Sequence, residues 1–361
     1  MNAYVVSLDK LAHNIEELKR QAAGVPIWAV IKGNAYGLGV LPMAELLAEH
    51  GISRFCITDL REAEILRENG FVQAQILMLR SVCDGRELSR LLDLKVILTV
   101  GSWEAAEAAE KAAAGRCDMA EVHVKIDTGM GRYGFQPGDI EHIMGVYRDF
   151  PHVAVSGIYT HFNCAYCNDQ LTIEEFERFT HTLSLLHEQG IETGTAHCCN
   201  SSAFLKFPEM HLDGVRLGSA ILGRMAFQTR LRPVGYCESQ VEEIHVLQKG
   251  QTTGYGGLWK AKKETELAIV PVGWYHGFNV SCKPDMSRAG DCIRSGLSAL
   301  KSLIRRKKTY VEIHGRDCRV VGAIGMLHCA VDVTGMDVRR GDPAILEINP
   351  LHVKGMEVQF R

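Results

Sequence analysis

The chain predicts an α/β protein: an N-terminal (β/α)8 barrel of the TIM type over residues 1–225, then a mostly antiparallel β domain over 226–361. Three observations lead there. Eight short apolar runs rich in Val and Ile alternate with longer amphipathic stretches, the pattern of parallel strands buried on both faces. No GxGxxG follows the first strand, which argues against an open dinucleotide-binding sheet. From about Phe227 the texture changes to strand-like runs separated by Gly, Asp and Lys turns.

The elements follow in order. Ser7 opens a helix in which Leu8, Leu11, Ile15 and Leu18 recur at helical spacing. The eight strands are expected near Pro26–Lys32, Arg54–Thr58, Gln75–Met78, Lys95–Val100, Glu121–Asp127, Val153–His161, Gly194–Cys199 and Asp213–Leu217. Asp59 with Glu62, and Thr172 with Glu175, read as capping boxes opening two of the intervening helices. In the second domain, strands are expected at Val241–Leu247, Leu267–Val272, Tyr310–Ile313, Arg319–Ile324 and Ala344–Ile348. Between them, Leu297, Leu300 and Ile304 predict an amphipathic helix followed by the basic run RRKK.

Composition bounds the function. The 361 residues are 46% apolar and 23% charged, as in ordinary globular chains. A net charge of −3 argues against a nucleic-acid partner held by bulk electrostatics. No apolar run approaches the roughly 18 residues that would span a bilayer, and MNAYVVSLDKLAHN lacks a signal-peptide pattern. A cytoplasmic location is therefore expected, with its twelve cysteines mostly reduced and buried. Neither Cys164–Cys167 nor the adjacent Cys198 and Cys199 has a second pair at zinc spacing, so no metal is expected.

Function in such barrels gathers where the strands end. The first ends in AVIKGNAYGLG, presenting Lys32 and Tyr36. A lysine closing a buried strand loses the hydration that favours its ammonium form, which makes it a nucleophilic amine and a proton acceptor. The fifth ends in KIDTGMGRYGF with Lys125, Asp127 and Arg132, and the sixth in YTHFN with His161. The seventh offers His197, Asn200 and Ser201, and the eighth Arg216, Gly218 and Ser219. Singly, each is more often structural; together on one rim they read as a site.

These segments, in this order, resemble the alanine racemase family of pyridoxal phosphate enzymes over nearly the whole chain, although Gly33 stands where alanine is usual. The resemblance implies pyridoxal 5'-phosphate as cofactor, an amino-acid substrate and a homodimer in which the partner's β domain completes each site. It implies that Lys32 holds the cofactor covalently, that Tyr36 and Ser201 bind its phosphate with N–H groups near Gly218 and Ser219, and that Asn200 belongs to the cofactor-binding set. Arg216 would face the pyridine nitrogen, with His161 bonded behind it. Arg132 and Met326 would meet the substrate. Lys125 matches a lysine that some relatives carry as a carbamate; an ordinary ion pair with Asp127 is the alternative. Tyr255, in TGYGGLW, stands where the family has its catalytic tyrosine, so that Lys32 and Tyr255 exchange protons on opposite faces of the α-carbon.

The second domain departs from the family pattern. GWYHG (273–277) replaces GYxDG, Leu327 replaces an acid after Met326, and no tyrosine follows Tyr310. In the barrel, Tyr166 stands where an acid is common. Trp274 and His276 are expected to reshape the entrance, so serine or another amino acid competes with alanine as substrate. The rival readings are a pyridoxal phosphate lyase or decarboxylase, against which Arg216 speaks, and a catalytically weak cofactor-binding relative, which would have no need of Tyr255.

Overall fold

The computed structural model describes residues 2–280, 296 and 308–361. The helix expected around Leu297, Leu300 and Ile304, with basic residues 305–307, lies outside the described residues. The chain forms two compact units, Leu8–Val234 and Met1–Ser7 with Gly235–Arg361. The N-terminal strand Ala3–Val6 thus lies in the second unit, whereas a single cut after residue 225 would leave it with the barrel.

The first unit holds eight parallel strands: β1 (Ile27–Val30), β2 (Arg54–Ile57), β3 (Gln75–Ser81), β4 (Ile97–Val100), β5 (Ala120–Lys125), β6 (Val153–Tyr159), β7 (Thr195–His197) and β8 (Val215–Leu217). Each pairs with its sequence neighbour from β1 to β7, and β8 returns to pair with β1. Asp213 N–H donates to Ala196 O and Arg216 N–H to Cys199 O, both at 3.0 Å, linking β7 to β8 and closing the ring. All eight expected strands are present. Helices follow β1 through β7, and the N-terminal helix Leu8–Ala22 is tied to the segment after β8 by the buried Asn14. Its amide donates to Ile221 O and Arg232 O and accepts from Arg232 N–H.

Burial explains why these runs are strands. Every residue of Ile97–Val100 is buried, and Trp28, Cys56, Leu77 and Ile97 from β1 to β4 pack as one layer inside the ring. Asp59 and Glu62 form the expected capping box at Leu60–Glu68. The second expected box does not form. The helix is Asp169–Glu188, and Asn168 caps it by accepting from Leu171 N–H. Thr172 is buried in the first turn, bonding back to Asn168 O, while Glu175 turns to Asn163 N–H. The earlier Asn supplies the acceptor at the point where the backbone is still extended.

Among the described residues, the second unit is built on a nine-stranded sheet in which the expected runs appear as Glu243–Leu247, Thr265–Val270, Tyr310–Ile313, Arg316–Val321 and Pro343–Leu346. Pairing is antiparallel except between Ala3–Val6 and Glu357–Phe360. Those two, with Gly235–Gln240 and Cys329–Asp332, are strands the local pattern did not announce.

Candidate active site

Lys32 begins a short turn whose next four residues, Gly33 to Tyr36, all have positive φ between 52° and 62°. A left-handed turn costs an L-residue about 1–2 kcal/mol per position, so it persists only where neighbours hold it. Asn34 provides this: its N–H donates to Glu62, its side-chain oxygen accepts from Val40 N–H, and its carbonyl accepts from Gly37 and Gly39. The turn keeps Lys32 half-buried at the strand end. Burial, and then the Arg132 charge, lower the Lys32 pKa, favouring the free amine.

The same turn carries Tyr36 to the start of the segment after β8. A Cβ added at Gly218 would fall 2.0 Å from the Tyr36 hydroxyl, so the phenol occupies room that only glycine leaves. Ser201 Oγ accepts from Gly218 N–H at 3.1 Å and Ala220 N–H at 3.2 Å. Tyr36, Ser201 and Gly218 thus make one compact cradle of hydroxyl and amide groups, with Ser219 beside it. Asn200 is spent elsewhere: its oxygen accepts from Ser202 and Ala203 N–H and its amide donates to Phe162 O. Its side chain therefore sets the position of Ser201.

Arg216, 3% exposed, reaches inward from β8. It meets His161 as expected, with His161 Nδ1 3.5 Å from Nη2, and makes a shorter bond that was not expected: Nη1 donates to His197 Nδ1 at 2.6 Å. Strand alternation makes the second the shorter. His197 ends β7, next to β8, and points into the ring, whereas His161 lies two residues beyond β6 at the mouth. Further donations go to the carbonyls of Thr160, His197 and Cys198. Burial first and the Arg216 charge second hold both histidines well below their ordinary pKa, so both are neutral.

A cavity of about 230 Å³ at the mouth is lined by Lys32, Thr58, Leu79, Arg80, Lys125, Arg132, Tyr133, Tyr159 and His161. Arg80 and Arg132 are permanently charged and Lys32 and Lys125 add two amines, so the cavity suits an anion. Arg80 and Tyr159 were not anticipated; Arg80 pairs with Glu87 and donates to Thr58 O at 2.8 Å. Lys125 is 2% exposed, between the rings of Tyr133 and Tyr159 at 5.3 and 5.4 Å from their centroids. Burial, then Arg132 and Arg216, lower its pKa from 10.5 to about 7. The ion pair with Asp127 does not form. That carboxylate accepts the backbone N–H groups of Gly129, Met130, Gly131 and Arg132 within 3.1 Å, shaping the loop that carries Arg132.

In the second unit, Tyr255 stands 83% exposed on a turn with positive φ at Gly254, Gly256 and Gly257. It shares an open cavity of about 630 Å³ with Met326, Leu327 and His328. His276 is not an entrance group: it is buried, and its Nδ1 accepts from Gly273 N–H, building its own turn. Trp274, 53% exposed, and Tyr275 are the residues of this motif that face outward. Among the described residues, no group of three His, Cys, Asp or Glu side chains could hold a metal, and no helix is long and apolar enough to cross a membrane.

The described residues fit pyridoxal phosphate: an amine whose pKa is lowered by burial, a hydroxyl–amide cradle suited to an anion, and a buried, fixed guanidinium. Comparison with known proteins points the same way. Residues 6–226 match the family model "Alanine racemase, N-terminal domain" and residues 234–354 match "Alanine racemase, C-terminal domain". The chain is 32% identical to an alanine racemase of Clostridium tetani, covering 94% of this chain and 84% of the relative. It is 31% identical to one of Methanococcus maripaludis, covering 93% and 86%. The solved alanine racemase of Clostridium difficile 630 superposes with a TM-score of 0.81 at 26% identity, covering 99% of this chain and 88% of that one. The chain belongs to the alanine racemase family of isomerases.

Proposed function

We propose that the protein racemises alanine with pyridoxal phosphate held at the barrel mouth and works as a homodimer. The observation that carries this is Lys32: a half-buried amine with lowered pKa, beside the Tyr36–Ser201–Gly218 cradle and the carbonyl-anchored Arg216. Bound there, the cofactor supplies the electron sink that acidifies the substrate's α-proton. Lys32 would hold it, and Tyr36, Ser201 and the N–H groups around Gly218 and Ser219 would bind its phosphate. Arg216, permanently charged and donor-only, would face the ring nitrogen and keep it unprotonated, which would moderate the sink and restrain side reactions.

Arg132 would bind the substrate carboxylate, with Met326 of a second copy near the side chain. Lys32 takes or returns the α-proton on one face. Tyr255 of a second copy does so on the other, and the exposed Tyr255, Leu258, Met326 and Leu327 support burial against such a copy. Lys125, its pKa lowered to about 7 by burial, has access to the amine form that adds carbon dioxide. A resulting carbamate would give Arg132 an anionic neighbour.

A lyase or decarboxylase gains from an acid at the ring nitrogen, and among the described residues Arg216 is met by carbonyls and neutral histidines instead. The test is an absorbance scan of purified protein followed by racemisation assays on a panel of L-amino acids. A lysine-bound pyridoxal band with alanine fastest is expected. Decarboxylation or elimination without racemisation would reject the reading, and faster turnover of serine would reject alanine as its substrate.

A further inference from the structure

We infer that His123 is a positioning residue for the reaction, acting through His197 on Arg216. The inference rests on the proposed placement of Arg216 at the cofactor ring. Its evidence is a three-residue chain running down the inside of the barrel. Arg216 Nη1 lies 2.6 Å from His197 Nδ1, and His197 Nε2 lies 2.9 Å from His123 Nδ1. All three side chains are buried.

The donor inventory sets the direction of every bond. A guanidinium only donates, so His197 Nδ1 must be the unprotonated nitrogen. A neutral His197 then carries its proton on Nε2 and donates it to His123 Nδ1. His123, kept neutral by burial, carries its own proton on Nε2. Reversal at His197 would set an N–H against an Arg216 N–H. His123 is therefore the acceptor that makes the useful tautomer the satisfied one.

The surroundings are built to hold this geometry. His197 is sandwiched between Trp28 (6.1 Å, 14°) and Tyr159 (4.9 Å, 6°), so its ring plane is fixed. Trp28 also meets His123 edge-on at 5.7 Å. Room for the His123 ring comes from Gly157, where an added Cβ would fall 2.7 Å from His123 Nε2. His123 also lines a cavity of about 140 Å³ with Ser156, Thr195 and Gln75 among the strand starts, opposite the mouth.

The experiment compares unaltered protein, His123→Leu and His123→Gln, each as purified. Nitrogen-15 spectra of labelled histidines report the His197 tautomer whether or not the protein turns over. The unaltered protein is expected to show His197 protonated on Nε2; protonation on Nδ1 overturns the inference without any variant. In His123→Leu the signal pattern changes, kcat for racemisation falls about tenfold or more with little change in KM, and the bound-cofactor absorbance shifts its pH dependence. His123→Gln, which keeps an acceptor, recovers most of each. A His123→Leu protein within twofold of the parent in kcat and unshifted in spectrum overturns the proposal, as does a folded Gln variant no better than Leu. If the tautomer responds as stated but the unaltered protein neither binds pyridoxal phosphate nor racemises, the positioning of Arg216 stands and the functional reading alone fails.

Discussion

The barrel mouth and the exposed face around Tyr255 carry equally conspicuous motifs but are opposite kinds of surface. At the mouth, Arg216, Lys125 and Ser201 are buried, and Arg216 and Ser201 have their polar atoms bonded to backbone or neutral histidine. Around Tyr255 the named residues are exposed, on a turn of three left-handed glycines whose Gly254 lies so close to the chain that a Cβ would meet Ala323 N at 2.7 Å. The first region is pre-organised by its own unit. The second presents a rigid turn and an apolar surface outward. A chemical group can therefore be fixed either by burial or by backbone geometry, and the two respond differently to substitution.

The largest effect is expected at Lys32. Lys32→Ala removes the amine that would hold the cofactor, so the bound-cofactor absorbance should vanish and racemisation fall by about 10³-fold or more. Retained absorbance at full occupancy would place the cofactor lysine elsewhere. Next comes Tyr255→Phe, expected to keep cofactor and stability while turnover drops about 10²- to 10⁴-fold. Because this side chain is exposed, an unchanged melting temperature with lost activity sharpens the contrast with the mouth; undiminished turnover breaks it.

Gly218→Ala tests the cradle. Its new Cβ would sit 2.0 Å from the Tyr36 hydroxyl and must displace it. About tenfold weaker cofactor binding is expected, read by titrating stripped protein with pyridoxal phosphate. Binding equal to the parent's would show that Tyr36 does not contribute.

The smallest effect concerns Lys125. Its folded pKa of about 7 lies below its ordinary 10.5. The unfolded chain therefore binds more protons between those values, and stability rises with pH across that window; below about pH 7 the cost of burying the charge is fully present. Lys125→Met should raise the melting temperature near pH 7 and flatten its rise from pH 7 to 10. An unchanged slope would mean that another group, or a carbamate, neutralises this amine.

The eight barrel strands were legible because Val- and Ile-rich runs between amphipathic helices have one economical packing, and the strand ends followed from it. Lys32, Arg132, His161, Ser201 and Arg216 needed only that frame. What stayed hidden shares a cause in distance along the chain or in shared acceptors. Arg216 meets His161 at 3.5 Å as the resemblance implies, but its shorter bond to His197 follows only from the ring's alternation, which turns His197 inward. The alternative of an Asp127 ion pair for Lys125 falls away because four nearby amides reach that carboxylate first. Thr172 was read as a cap when Asn168 already supplied one. His276 looked like an entrance residue and is a turn builder.

Local pattern alone determined the order of strands and helices, the lysine at the first strand's end and the glycine turn bearing Tyr255, since periodicity and φ demands act over a few residues. Only the folded chain decided that residues 123, 197 and 216 touch, that Asp127 is already satisfied, and that Ala3–Val6 pairs with Glu357–Phe360. Those facts depend on which atoms closure of the ring and sheet brings within about 3 Å, a condition no run of neighbouring residues encodes.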